Sequence, residues 1–218
     1  DQGWPQSKFI PNAYLAFGEL FFNEAQGDPT KWALAEQSYS EVIKYPAPEN
    51  KVWGYAHYKL GYVYWNKGDF ARAMSELKKT IEYGTQYASL PNAEQLAVSA
   101  RRDIIPIYAL AGDPKRAYDF IKPISGDSGG NTERTFKLMD DLGQNYLDTG
   151  HSQRLEYAVK EAQDPGQSLI RHRQDQAIRD VEHPTPILLQ QFHPHFPQLG
   201  LHGMDPVGFL DPQAFQSR

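Results

Sequence analysis

The feature that most constrains this chain is a pattern that returns along it. Aligning Gly18, Gly61 and Gly143 brings the same side chains into step around each of them. Around Gly61, Leu60 precedes the glycine, Tyr64 follows by three, Gly68 and Asp69 mark a turn, and Ala73 falls in the next helical stretch. The run around Gly143 repeats this with Leu142, Tyr146, Gly150 and Leu155. A further copy reads Ile104, Ile105, Tyr108, Gly112, Asp113 and Ala117, with Ile105 in the glycine's place. The first copy offers Phe17, Gly18, Phe21, Ala35 and Tyr39, with about five extra residues in its turn. Each copy reads as two antiparallel helices. Small residues such as Gly61 and Ala73 let the backbones approach, and the Gly-Asp pairs at 68 and 112 fit a helix end followed at once by an N-cap. One hairpin cannot bury its apolar face alone, so four in succession must stack into one array. The glycines at 68, 112 and 150 give spacings of 44 and 38 residues, and the excess over a shorter unit is assigned to the linkers 82–91 and 125–131.

Composition narrows the function classes. The 218 residues carry a formal charge of −5, which argues against a protein that binds nucleic acid by neutralising phosphates. There is no cysteine, so disulfides, thiolate metal sites and cysteine nucleophiles are excluded. The longest apolar run, 104–111, is too short to span a bilayer. No secretory signal is visible, although a chain beginning at Asp1 is compatible with one removed.

The repeated positions resemble the tetratricopeptide repeat, whose signature runs aromatic, Leu-Gly, Tyr, then Ala, a large apolar residue and Ala. The resemblance covers roughly residues 9–165, and the second copy matches best. The run from Ser38 through Tyr45-Pro46 to Leu77 is similar to the bacterial cell-envelope subgroup, which includes outer-membrane assembly, Tol-Pal coordinator and gliding-motility proteins. The resemblance implies an all-α, right-handed superhelix of about four hairpins over residues 1–165, and a periplasmic or envelope location, with the cytoplasm as the alternative. It also implies a groove lined by the first helix of each hairpin. In the second copy the groove stripe is Tyr55, Tyr58, Tyr62 and Trp65, with Asn66 beside them. The matching positions are Asn12, Leu15, Glu19, Phe22 and Asn23 in the first copy; Ser99, Arg102, Pro106 and Ala109 in the third; and Lys137, Asp140, Gln144 and Leu147 in the fourth. The Lys/Asn clamp that some family members use for a C-terminal carboxylate is not reproduced. Other rings, Phe17, Tyr64, Tyr108 and Tyr146, are assigned to packing within the hairpins.

After about residue 165 the chain changes character. Residues 166–182 read as one amphipathic helix through Leu169, Ile170, Ala177, Ile178 and Val181, a cap for the last hairpin. Residues 183–218 are rich in proline and histidine yet apolar, and Leu188, Phe192, Phe196, Phe209 and Phe215 are expected to dock on the groove, a neighbour or a partner.

Chemical motifs are scarce. Ser125–Gly130 spells SGDSGG, which matches a serine-protease nucleophile segment, but no barrel pattern surrounds it and a plain connecting loop accounts for it. His193, His195 and His202 do not have the spacing of a helix-borne metal pair. His57 reads as a core residue. The resulting expectation is a non-enzymatic scaffold without cofactor or metal that binds a protein or peptide segment, with self-association through the tail as a further possibility. The rival reading is a fixed structural subunit with the tail as a strap.

Overall fold

A computed structural model describes residues 9–161, all of the regular structure in which is helical. Eight α-helices follow in order among these residues: α1 (Ile10–Glu24), α2 (Trp32–Ile43), α3 (Trp53–Asn66), α4 (Phe70–Gln86), α5 (Ala93–Ala111), α6 (Ala117–Ile121), α7 (Glu133–Asp148) and α8 (Ser152–Glu161). The expected cap at 166–182 and the tail at 183–218, with Leu188, Phe192, Phe196, Phe209 and Phe215, lie outside the described residues.

Helices pair because small residues leave room for them. A Cβ on Gly61 of α3 would sit 2.9 Å from two Leu77 side-chain carbons on α4 and 3.4 Å from the Ala73 carbonyl oxygen. At Gly18 the Tyr39 ring of α2 occupies that space, 2.5 Å from where a Cβ would fall. The α3–α4 turn follows the Gly-Asp expectation. Gly68 takes φ +75°, a left-handed conformation that suits glycine, and the Asp69 carboxylate accepts from the Arg72 N–H at 3.1 Å. Gly112 is different: its φ of −76° is ordinary extended backbone, and glycine is required instead because a Cβ would lie 2.6 Å from the Tyr108 ring.

The structure departs from the sequence reading in three places. Residues 82–86, assigned to a linker, continue α4, because Ala73, Leu77, Ile81 and Gly84 keep one helical stripe to its end. Tyr83 there packs beside the start of α3, where a Gly54 Cβ would fall 2.1 Å from its ring. The second helix of the third copy is cut to five residues, α6, between short 3₁₀ turns that open at Pro114 and contain Pro123. With α6 so short, α5 packs directly on α7. Phe17, assigned to packing, is 54% exposed.

Connections are held by side chains that replace backbone partners. Buried Asn50 donates to the carbonyls of Val42 (2.9 Å) and Tyr45 (2.7 Å) and accepts from the Val52 N–H (3.1 Å), stapling the end of α2 to the start of α3. In the 125–130 segment Asp127 accepts from the backbone N–H of Arg134 and Thr135 and from the Thr135 hydroxyl, so the loop serves as the N-terminal cap of α7.

Candidate functional site

The first helices of the hairpins touch one another: α1 packs on α3 and α3 on α5. Tyr55, Tyr58, Tyr62 and Trp65 follow at spacings of three and four, which brings them onto one stripe of α3. Their rings form a continuous ladder, with centroids 6.4, 5.2 and 5.7 Å apart in sequence order. The two central rings are not open, however. Tyr58 and Tyr62 are each 4% exposed, while Tyr55 and Trp65 at the ladder's ends are half-buried.

Asp103 of α5 closes the centre. Its carboxylate accepts from the Tyr58 hydroxyl at 2.5 Å and the Tyr62 hydroxyl at 2.7 Å, and its other oxygen accepts from Arg102 Nε at 2.9 Å. Burial, and then the neighbouring ring and carboxylate, push the Tyr58 phenol far above its ordinary value. Burial and then Asp103 do the same to Tyr62. Sequence reasoning named Arg102 and passed over Asp103. The signal was a carboxylate standing between Ala100 and Ile104, at the place Lys59 holds in the second copy.

A second polar bridge joins α1 to α3. Glu19 accepts from the Tyr39 hydroxyl at 2.6 Å and pairs with Lys59 at 3.3 Å. The buried Lys59 ammonium also stands 3.7 Å over the Phe22 ring. Burial lowers the Lys59 ammonium, against the upward pull of Glu19. Phe22, expected on the groove, is 2% exposed and packs edge-on against Trp32 at 5.0 Å. It is a core residue, because α2 folds back over that side of α1. Asn12 is half-buried, and Asn23, Asn66 and Arg102 are exposed. In the third copy Ser99 and Ala109 are buried and Pro106 half-buried; in the fourth Lys137 and Gln144 are exposed, and Asp140 and Leu147 half-buried. The structure therefore gathers Tyr55, Tyr58, Tyr62, Trp65, Arg102 and Glu19 about one row of helices.

His57 lies within the core, its ring 4.0 Å from that of Trp53 and its Nδ1 2.5 Å from Glu76 Oε2. Burial alone would raise the Glu76 carboxyl. Hydrogen bonds from His57 and from Lys79, at 2.8 Å, outweigh it and hold the group below the usual carboxylate range.

Compared with family models, characterised proteins and solved structures, the chain matches none. Among the described residues no group of three or more histidine, aspartate or glutamate side chains is placed to hold a metal ion, and no helix is long and apolar enough to cross a membrane. What the geometry offers is ring surface at Tyr55 and Trp65, polar side chains at Asn66 and Arg102, and carboxylates whose charge is spent inside the fold.

Proposed function

We propose that this chain is a non-enzymatic scaffold whose hairpins form a tetratricopeptide-like right-handed superhelix, and that it binds a protein or peptide segment along the row of first helices. The observation that carries this reading is the aromatic ladder on α3, anchored in its middle by Asp103 and left half-open at Tyr55 and Trp65. Rings fixed by buried neighbours are inexpensive to order on binding, and amphipathic aromatics of this kind are the usual anchors of protein interfaces. The test is capture from the native source with the full chain and with its Tyr55→Ala/Trp65→Ala variant. Because both rings are only half-buried, helicity should persist while the co-purifying partner is lost. An unchanged set of captured proteins would refute the groove.

The second reading is a fixed structural subunit of an envelope or motility assembly, strapped by residues 183–218. Exposed Phe17 and Leu20 favour it, since permanent interfaces cover apolar surface of this kind. A periplasmic or envelope location goes with either reading and rests on the resemblance around Tyr45-Pro46; the cytoplasm is the alternative. Subunit exchange separates the two functions: a scaffold releases and rebinds its partner, whereas a fixed subunit does not exchange.

A further inference from the structure

The 125–130 loop brings together two arginines from helices that pack on each other, α5 and α7. Ser125 is buried, and its hydroxyl donates to the Lys122 carbonyl at 2.9 Å and accepts from the Asp127 N–H at 3.1 Å, which fixes the start of the loop. The backbone then turns through Gly126 at φ +81°, a left-handed conformation open to glycine. Arg101 of α5 and Arg134 of α7 both reach this turn. A Cβ on Gly126 would lie 3.1 Å from Arg101 Nη2 and 3.3 Å from Arg134 Nη1, so both guanidiniums close on the same point of the turn.

The pair is anchored but not neutralised. Arg101 Nε donates to the Ile124 carbonyl at 2.8 Å and Nη2 to the Thr85 hydroxyl at 3.3 Å, which leaves the other three of its five N–H groups for a ligand. Arg134 makes one long contact, from Nη1 to the Gly126 carbonyl at 3.5 Å. Arg72 and Arg102 are ion-paired with Asp69 and Asp103, whereas among the described residues neither Arg101 nor Arg134 meets a carboxylate at ion-pair distance. Asp127 stands in the same loop, yet its carboxylate is occupied by the backbone N–H groups of Arg134 and Thr135 and by the Thr135 hydroxyl. Burial, and then the Arg134 charge, lower the Arg101 guanidinium, with Glu94 the smaller opposing pull. Two cations are thus held together against their own repulsion, in a chain with 27 acidic and 22 basic side chains.

We propose that Arg101 and Arg134 form a binding site for a phosphate monoester at the 125–130 loop. The charge of the pair selects the ligand. A carboxylate brings one negative charge and leaves one cation over, whereas a phosphate monoester brings about −1.5 to −2 near pH 7 and three strong acceptor oxygens, enough to engage both guanidinium forks. Gly126, Ser128, Gly129, Gly130 and Arg134 are exposed, so the site admits a phosphate carried on a protein segment as well as a free one. It shares no residue with the aromatic ladder, and its test is independent of that reading.

The test is calorimetric titration of the full chain with three probes: inorganic phosphate, a short neutral peptide carrying one phosphoserine, and the same peptide with serine. The phosphoserine peptide should bind at least about tenfold more tightly than the serine peptide. Arg134→Gln should lower that affinity about tenfold or more, and because Arg134 is exposed the variant should keep its helicity by circular dichroism. Arg101→Lys retains the charge but loses the planar fork, and should weaken binding as well. Lys51→Gln, which removes one exposed positive charge before α3, should leave the affinity unchanged. Phosphopeptide binding tighter than that of inorganic phosphate supports the site and makes its ligand a phosphorylated protein segment. Equal binding of the two supports the site and makes its ligand a free phosphate or a small phosphorylated molecule. Three results would overturn the proposal: neither phosphate probe binds, the serine peptide binds as tightly as the phosphoserine one, or the Arg134→Gln chain binds as tightly as its parent.

Discussion

Raising the pH should unfold this protein abruptly, and the magnitude follows from its tyrosines. Tyr39, Tyr58, Tyr62, Tyr108 and Tyr146 are all buried, with exposures of 0–4%. Burial is the leading cause that moves each phenol up from an ordinary value of 10.0, and Tyr146, the least displaced of the five, is pushed up to about 12. A group whose pKa is higher folded than unfolded contributes stability in full below its unfolded value and loses it as pH rises toward the folded one. The loss therefore begins near pH 10, where the unfolded chain starts to release protons that the folded chain retains. At about pH 11 each buried ring costs roughly 1.4 kcal/mol, so five cost about 7 kcal/mol, comparable to the whole stability of an ordinary domain. Tyrosinate absorbance recorded beside far-ultraviolet circular dichroism should show two steps. Surface phenols ionise first with helicity intact; the buried set then ionises together with cooperative loss of helix near pH 11. The account is refuted if all tyrosines titrate in one step near pH 10 with helicity unchanged, because the five rings would then be accessible to solvent in the folded state.

Asp103→Ala should cost about 3 kcal/mol in denaturant unfolding, since it strands two buried hydroxyls that donate to a carboxylate. A cycle with Tyr62→Phe should give a coupling above about 1 kcal/mol, and additivity would show that the hydrogen bond contributes nothing. Gly84→Ala should destabilise by about 2 kcal/mol or more despite alanine's better helix propensity, because its Cβ would fall 2.3 Å from the Ala93 carbonyl oxygen; a rise in melting temperature would contradict this packing. Asp127→Ala should cost about 1 kcal/mol and speed amide exchange at Arg134 and Thr135. Hydrogen bonds from Thr135 and Arg134 hold the Asp127 carboxyl below its ordinary 3.8 against the upward pull of burial. Its contribution is therefore present above that value and lost as pH falls through the lower folded one, and the variant should lack that acid-side loss.

The hairpins were legible because their contacts depend on residue size. A glycine at 18, 61 or 143 is needed where a ring or leucine of the paired helix fills the space of a Cβ, and size is written in the sequence. The shortening of α6 had a visible signal, since Pro123 stands six residues after Ala117 and lacks the N–H that an added turn would use, yet the register of Ala117 alone suggested a full helix. Exposure was less accessible. Phe17 and Leu60 hold the same register position, and one is 54% and the other 1% exposed. The difference lies in whether a helix packs outside them, which the local pattern does not encode. Tyr58 and Tyr62 were placed on the right stripe, but their closure depends on a carboxylate more than forty residues away in sequence.

The polar bridges between first helices also constrain what the ladder recognises. Glu19 is held by Lys59 and Tyr39, and Asp103 by Arg102, Tyr58 and Tyr62. Each carboxylate meets a cation within the fold, so neither presents a bare charge to a partner, and an approaching basic segment would have to break a satisfied network to reach Asp103, which is buried. Breaking it leaves buried phenols unpaired, at about 1–3 kcal/mol each. Attraction along this row therefore falls to ring faces and edges at Tyr55 and Trp65, to the exposed amide of Asn66 and to the outer edge of the exposed Arg102 guanidinium, whose charge Asp103 already meets. A partner selected there is one that offers apolar or aromatic side chains with neutral hydrogen-bonding groups. Its binding should weaken little with added salt, in contrast to an interface steered by unpaired charge, whose association slows steeply as screening increases.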